Sequence, residues 1–116
     1  MQINYLDEKL RKLCLNKKEA EKKLGTGCAK KLRTRWSDIE AAANVKELTA
    51  GNPHPLEPDS LREFSVELAD GKRLVFRPDH EPTPLNNNNN TTDWAKVTAI
   101  TIVYIGDYHK SKQKRK

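Results

Sequence analysis

From Val97 to Ile105 the chain reads VTAITIVYI, a run in which every residue but Ala99 is β-branched or aromatic and none is charged. That predicts a strand buried on most of both faces. Gly106 breaks it, and Asp107, Tyr108 and His109 follow at once. A carboxylate, a phenol and an imidazole thus stand together at the end of a rigid strand, where a core can hold proton-transfer groups.

Upstream the period changes. Ala20, Leu24, Cys28, Leu32, Trp36, Ile39 and Ala43 recur every three or four residues with Lys and Arg between them, the stripe of an amphipathic helix. Gly25 and Gly27 interrupt it, each at about 1 kcal/mol relative to Ala. Because the stripe keeps its phase across them, a nearly continuous helix from Lys17 is expected, in preference to a break after Leu24 with Thr26 capping a second helix. Asn44 ends the helix and caps a short turn, Val45 to Leu48, closed by Gly51. Gln2 to Leu6 reads as a short first strand.

Two further strands alternate at period two: Phe64, Val66 and Leu68 within 62–68, and Leu74 and Phe76 within 72–77. A two-residue Asp70-Gly71 turn would put these apolar sets on opposite faces. A three-residue loop, Ala69-Asp70-Gly71 with Gly71 left-handed, opposes Val66 to Leu74 and Phe64 to Phe76 and buries both sets together. This register places Arg73 opposite Glu67 and Arg77 opposite Glu63. The arginines then serve either as cross-strand ion pairs, each worth under about 1 kcal/mol, or as fixed guanidinium groups facing an anion.

The connections are distinctive. Asn52 to Pro58 carries three prolines and must be an extended loop that pins His54. Residues 78–96 form a long loop holding five consecutive asparagines, Asn86 to Asn90, with no apolar content to bury; a mobile surface insertion is expected. Trp94 and Val97 re-enter the core. Residues 111–116 read as a basic disordered tail.

At 116 residues the chain fits one domain, residues 1–110, with one modest core. Charge is segregated. Residues 1–36 carry eleven Lys and Arg against four acids, residues 37–109 six against twelve, and residues 110–116 five against none. Two basic blocks flanking an acidic middle suggest a polyanion partner, although a solvated lysine-rich helix is the plainer explanation of the first. No run approaches the roughly 18 apolar residues of a membrane span and no signal-peptide core opens the chain, so a cytoplasmic protein is expected. Cys14 and Cys28 lack metal-type spacing and read as reduced packing residues.

There is no phosphate-binding glycine loop, metal cluster or serine elbow, and no cofactor is expected. His54, Arg73, Arg77, Asp107, Tyr108 and His109 remain, and they suit cutting RNA by its own 2′-hydroxyl. That reaction needs a base for the hydroxyl proton, an acid for the leaving 5′-oxygen and cations for the charge growing on phosphorus. Imidazoles, with an unperturbed pKa of about 6.5, can serve as base and acid, and arginine forks match phosphate oxygens. Asp107 could orient a histidine, and Tyr108 could stack on a base.

A basic helical first half, then G-x-x-H-P-L at Gly51 to Leu56, K-R-L-V-F-R at Lys72 to Arg77 and a strand ending in D-Y-H at Asp107 to His109 together resemble the HigB branch of the RelE/ParE toxin superfamily. The resemblance spans about residues 1–110. It implies an α+β, RelE-like fold with N-terminal helices packed on a small, mostly antiparallel sheet. It implies a ribosome-dependent mRNA endoribonuclease toxin, partnered by a cognate helix-turn-helix antitoxin as well as by ribosome and mRNA. It assigns the active site to His54, Arg73, Asp107, Tyr108 and His109, and RNA contacts to Lys30, Lys31, Arg33, Arg35 and Arg77. The family's lysine after H-P-L is absent here, where Glu57 and Pro58 stand, and the asparagine run and basic tail are additional. Two rival readings use the same scaffold: a gyrase-targeting toxin of the ParE branch, and a non-catalytic RNA-binding protein.

Overall fold

The computed structural model describes residues 1–107; Tyr108 to Lys116 lie outside the described residues. Among the described residues three α-helices and five strands run in order: β1 (Gln2–Tyr5), α1 (Glu8–Leu15), α2 (Lys17–Leu24), α3 (Thr26–Ala41), β2 (His54–Pro55), β3 (Phe64–Glu67), β4 (Lys72–Pro78) and β5 (Ala99–Asp107). They form an α+β fold in which three helices pack on a mixed five-stranded sheet of order β1-β5-β4-β3-β2. Only β1 and β5 are parallel; the other neighbours are antiparallel. Among the described residues no helix is long and apolar enough to cross a membrane.

The helical region is three helices, where one nearly continuous helix from Lys17 was expected. α1 precedes that stretch altogether: the Asp7 side chain accepts from the Leu10 N–H at 2.9 Å, and Leu10 and Cys14 are buried. Asn16 both ends α1 and caps α2, donating its backbone N–H to the Lys12 carbonyl and accepting at Oδ1 from the Glu19 N–H. Gly25, at φ +85°, separates α2 from α3, so Thr26 is the first residue of α3 and not its cap. A left-handed backbone at that point costs glycine little, and the turn returns the apolar stripe to the same side. Cys28, Ala29, Leu32 and Ile39 are buried along α3. Its carboxyl end is met by the Met1 nitrogen, which donates to the carbonyls of Ile39, Glu40 and Ala42.

The hairpin has the expected register: Phe64 opposes Phe76, Val66 opposes Leu74 and Glu67 opposes Arg73. Its loop is closed by the Leu68 N–H donating to Lys72 and the Lys72 N–H to Ala69; both Asp70 and Gly71 take positive φ. Arg62, at φ +54°, lies in the preceding turn, so β3 is shorter than expected. The β5 expectation is corrected in one respect. Opposite β4, Val75 pairs with Tyr104 and Phe76 with Ile102, which leaves Val103 as an extra residue. That bulge keeps Ile100, Ile102 and Ile105 all buried while Thr101, Val103 and Tyr104 are half-exposed. β5 is an inner strand of the sheet but dry mainly on its helix side.

The core lies between the helices and this face, built on Leu32, Ile39, Leu74, Phe76, Ile100 and Ile102. Phe64 stacks on Phe76 at 5.4 Å and meets Trp94 at 4.9 Å. Trp36 on α3 donates from its indole N–H to the Tyr5 hydroxyl at 2.9 Å, tying helix to β1. The asparagine run forms a turn between Leu85 and Thr92, which bridge. It is anchored by hydrogen bonds from the Asn86 side chain to Thr91 and Thr92, and from Arg62 to the Asn90 carbonyl, a more tethered loop than its composition suggested.

Candidate active site

The sheet face turned away from the helices gathers the candidate groups. Register alone sets out one row across it, His54 opposite Ser65, Ser65 opposite Val75 and Val75 opposite Tyr104. The next row holds Glu67, Arg73 and Gly106. Ser65 and Val75 are fully buried beneath their neighbours; His54, Arg73 and Tyr104 are partly exposed.

His54 owes its orientation to the loop before it. Gly51 and Asn52 both take positive φ, and this kink sets the Asn52 carbonyl 2.8 Å from His54 Nδ1. A carbonyl only accepts, so Nδ1 carries the hydrogen and Nε2 of the neutral ring is left with its lone pair. The kink has its own support. Arg35 on α3 donates through Nε to the Glu67 carbonyl at 3.3 Å and pairs with Asp38 at 3.0 Å, while the Glu67 N–H donates to the Gly51 carbonyl at 2.7 Å. A Cβ on Gly51 would meet Arg35 Nε at 2.6 Å, so only glycine fits there.

Arg73 is held from two sides. Its guanidinium lies 3.6 Å from the Glu67 carboxylate, the cross-strand pair the register predicted, and 3.5 Å from Ser65 Oγ. A quarter of its side chain remains exposed. His54 and Arg73 stand two strands apart and two residues out of line, roughly 12 Å between backbones at usual strand spacing and rise. Arg73 closes much of that gap by reaching back to Ser65, the residue directly opposite His54. His54 thus occupies the β2 position opposite Ser65, and the Arg73 guanidinium meets the Ser65 hydroxyl, groups whose chemistry suits an oxyanion.

Asp107 ends β5 opposite Lys72, one step past the pairing of Gly106 with Arg73. Tyr104, which the apolar strand pattern concealed, donates its hydroxyl to the Asp107 carbonyl at 3.0 Å. Burial, and secondarily the Asp107 charge, raises the Tyr104 pKa above 10.0, so the phenol keeps its proton at neutral pH. Ser65 was missed for a similar reason: it sits in a buried strand, and only the predicted hairpin register could have put it beside Arg73. Tyr108 and His109 lie outside the described residues.

The expected RNA contacts divide. Lys30, Lys31 and Arg33 are exposed on α3, the opposite side of the sheet from His54. Arg77 is exposed and pairs with Thr101 toward the other end of β4, away from Arg73. Arg35 is corrected: only 11% of its side chain is exposed, and its bonds brace the His54 loop. On the far side of that loop, Pro55, Leu56, Asp59, Asn86, Thr92 and Trp94 line a cleft of about 430 Å³. No family model, curated protein or solved structure matches the chain.

Proposed function

We propose that the chain is the toxin of a type II toxin-antitoxin pair, a RelE-like, HigB-type endoribonuclease that cuts mRNA on the ribosome. It works in the cytoplasm and is neutralised by a helix-turn-helix antitoxin. The observation that carries this reading is that His54 and Arg73, distant in sequence, share one sheet face about Ser65. The motif order of the sequence supports the same reading.

In the proposed reaction a base removes the 2′-hydroxyl proton, and the oxygen attacks the adjacent phosphorus. The P–O5′ bond breaks, leaving a 2′,3′-cyclic phosphate and a 5′-hydroxyl that takes its proton from an acid. His54 suits the base, because Asn52 fixes the tautomer whose Nε2 can accept a proton. Arg73 suits the charge that builds on the phosphate oxygens. Asp107, Tyr108 and His109 supply the remaining acid and orienting groups by sequence position. Glu67 would keep the guanidinium aimed when the site is empty.

Induced expression should arrest growth and leave cuts in ribosome-bound mRNA. His54→Ala should slow cutting roughly 10²- to 10⁴-fold and Arg73→Ala roughly 10²- to 10³-fold, each without loss of folding. Cuts that persist unchanged in both variants would sink the nuclease reading.

A further inference from the structure

A single residue, Glu67, joins the two halves of the proposed site. Its N–H donates to the Gly51 carbonyl at 2.7 Å, which holds the kink that presents the Asn52 carbonyl to His54 Nδ1. Its carboxylate lies 3.6 Å from the Arg73 guanidinium. Its carbonyl accepts from Arg35 Nε at 3.3 Å, and Arg35 Nη1 is anchored to Asp38 on the same helix at 3.0 Å. The fit is close: a Cβ on Gly51 would stand 2.6 Å from Arg35 Nε, 3.1 Å from Arg35 Cδ and 3.1 Å from the Glu67 carbonyl oxygen. The glycine that opens G-x-x-H-P-L therefore makes room for a guanidinium sent across from α3. With 11% of its side chain exposed, Arg35 is placed to hold a peptide, not to meet a phosphate.

We infer that Arg35 is a positioning residue for the reaction: from α3 it fixes the Glu67 peptide, and through Glu67 it sets His54 and Arg73 in one geometry. This role rests on the nuclease reading. A guanidinium serves two acceptors at once through N–H groups held in one plane, whereas an ammonium carries the same charge without that fork. Lysine can therefore replace the charge of Arg35 but not its placement of the peptide. Loss of a single positioning hydrogen bond should cost about tenfold in rate.

The test compares wild type, Arg35→Lys, Arg35→Ala and His54→Ala on mRNA-programmed ribosomes. Tm and the His54 ring-nitrogen resonances are read on free wild type and both Arg35 variants, at a pH where imidazole is neutral. In wild type the resonances should mark Nδ1 as the nitrogen that carries the hydrogen. Arg35→Ala should lower Tm, and Arg35→Lys should restore most of that loss. In both variants kcat should nevertheless fall about tenfold with KM unchanged, and the two ring-nitrogen resonances should move toward each other as the tautomers mix. Wild-type kcat and resonances in Arg35→Lys, beside an inactive His54→Ala, would overturn the inference and leave the nuclease reading standing, marking a role for charge alone. A raised KM with wild-type kcat in both variants would also overturn it and return Arg35 to the RNA interface. Absence of cleavage by wild type itself would remove the nuclease reading, and the catalytic role of Arg35 with it, whatever the resonances do.

Discussion

At the scale of single residues, charge count and charge use part company. Arg35 sits in a basic block, and although Asp38 stands three residues on along α3, the Glu67 carbonyl that marks Arg35 as a brace is reached only across the fold. His54 was legible because flanking prolines isolate it, but the tautomer that fits it to take a proton depends on the left-handed Asn52, which a sequence signals only weakly. Cys14 illustrates burial acting alone: desolvation pushes its thiol from 9.0 up to about 12. A raised pKa means that the folded state holds the proton more tightly. The resulting stability is complete below about pH 9 and is lost as pH rises through about 12. Alkaline unfolding curves should therefore flatten over that window in Cys14→Ala relative to wild type. Native protein at pH 8 should also resist alkylation at Cys14 until denaturant is added; rapid labelling of the folded chain would contradict this.

Among the elements, those whose signal is local were legible and those set by a single backbone turn were not. The β3–β4 register followed from alternation plus a glycine-ended loop, and Phe64–Phe76, Val66–Leu74 and Glu67–Arg73 oppose one another as expected. The α2–α3 break escaped because a left-handed Gly25 redirects the chain without disturbing the spacing of its apolar stripe. α1 escaped because it is only two turns long, too short for its apolar residues to repeat as a stripe. The Val103 bulge was hidden in a stretch of β-branched residues, where a slip of frame leaves no compositional mark. The two glycines should now behave oppositely. Gly27 lies in the first turn of α3 with open space where a Cβ would go, so Gly27→Ala should stabilise by about 0.5–1 kcal/mol. Gly25→Ala also meets no atoms, but its φ of +85° should make it destabilise by about 1–2 kcal/mol. Denaturant midpoints for the pair check this, and equal shifts of one sign would contradict the break.

For the whole molecule, the sheet separates two surfaces with different tasks. The helical side presents Lys30, Lys31 and Arg33, and the other side presents His54 and Arg73. On the proposed reading the first grips a phosphate backbone and the second does chemistry. Replacing Lys30, Lys31 and Arg33 by Ala should then weaken ribosome association and lower the slope of log affinity against log salt by roughly 0.7–0.9 per lost phosphate contact. His54→Ala should leave the slope alone, and Arg35→Ala should lower Tm instead. An unaltered slope in the triple variant would remove α3 from the RNA interface.

The strand order carries one more consequence. β1 is the first element of the described chain, yet its partner in the sheet is β5, the last strand of the described chain, which also supplies the edge on which β4 docks. During synthesis the early helices must wait with their greasy side uncovered until residues 99–107 emerge. The sheet face that gathers His54, Arg73 and Tyr104 is therefore assembled only once β5 has been made, and a chain abandoned before β5 has no such face.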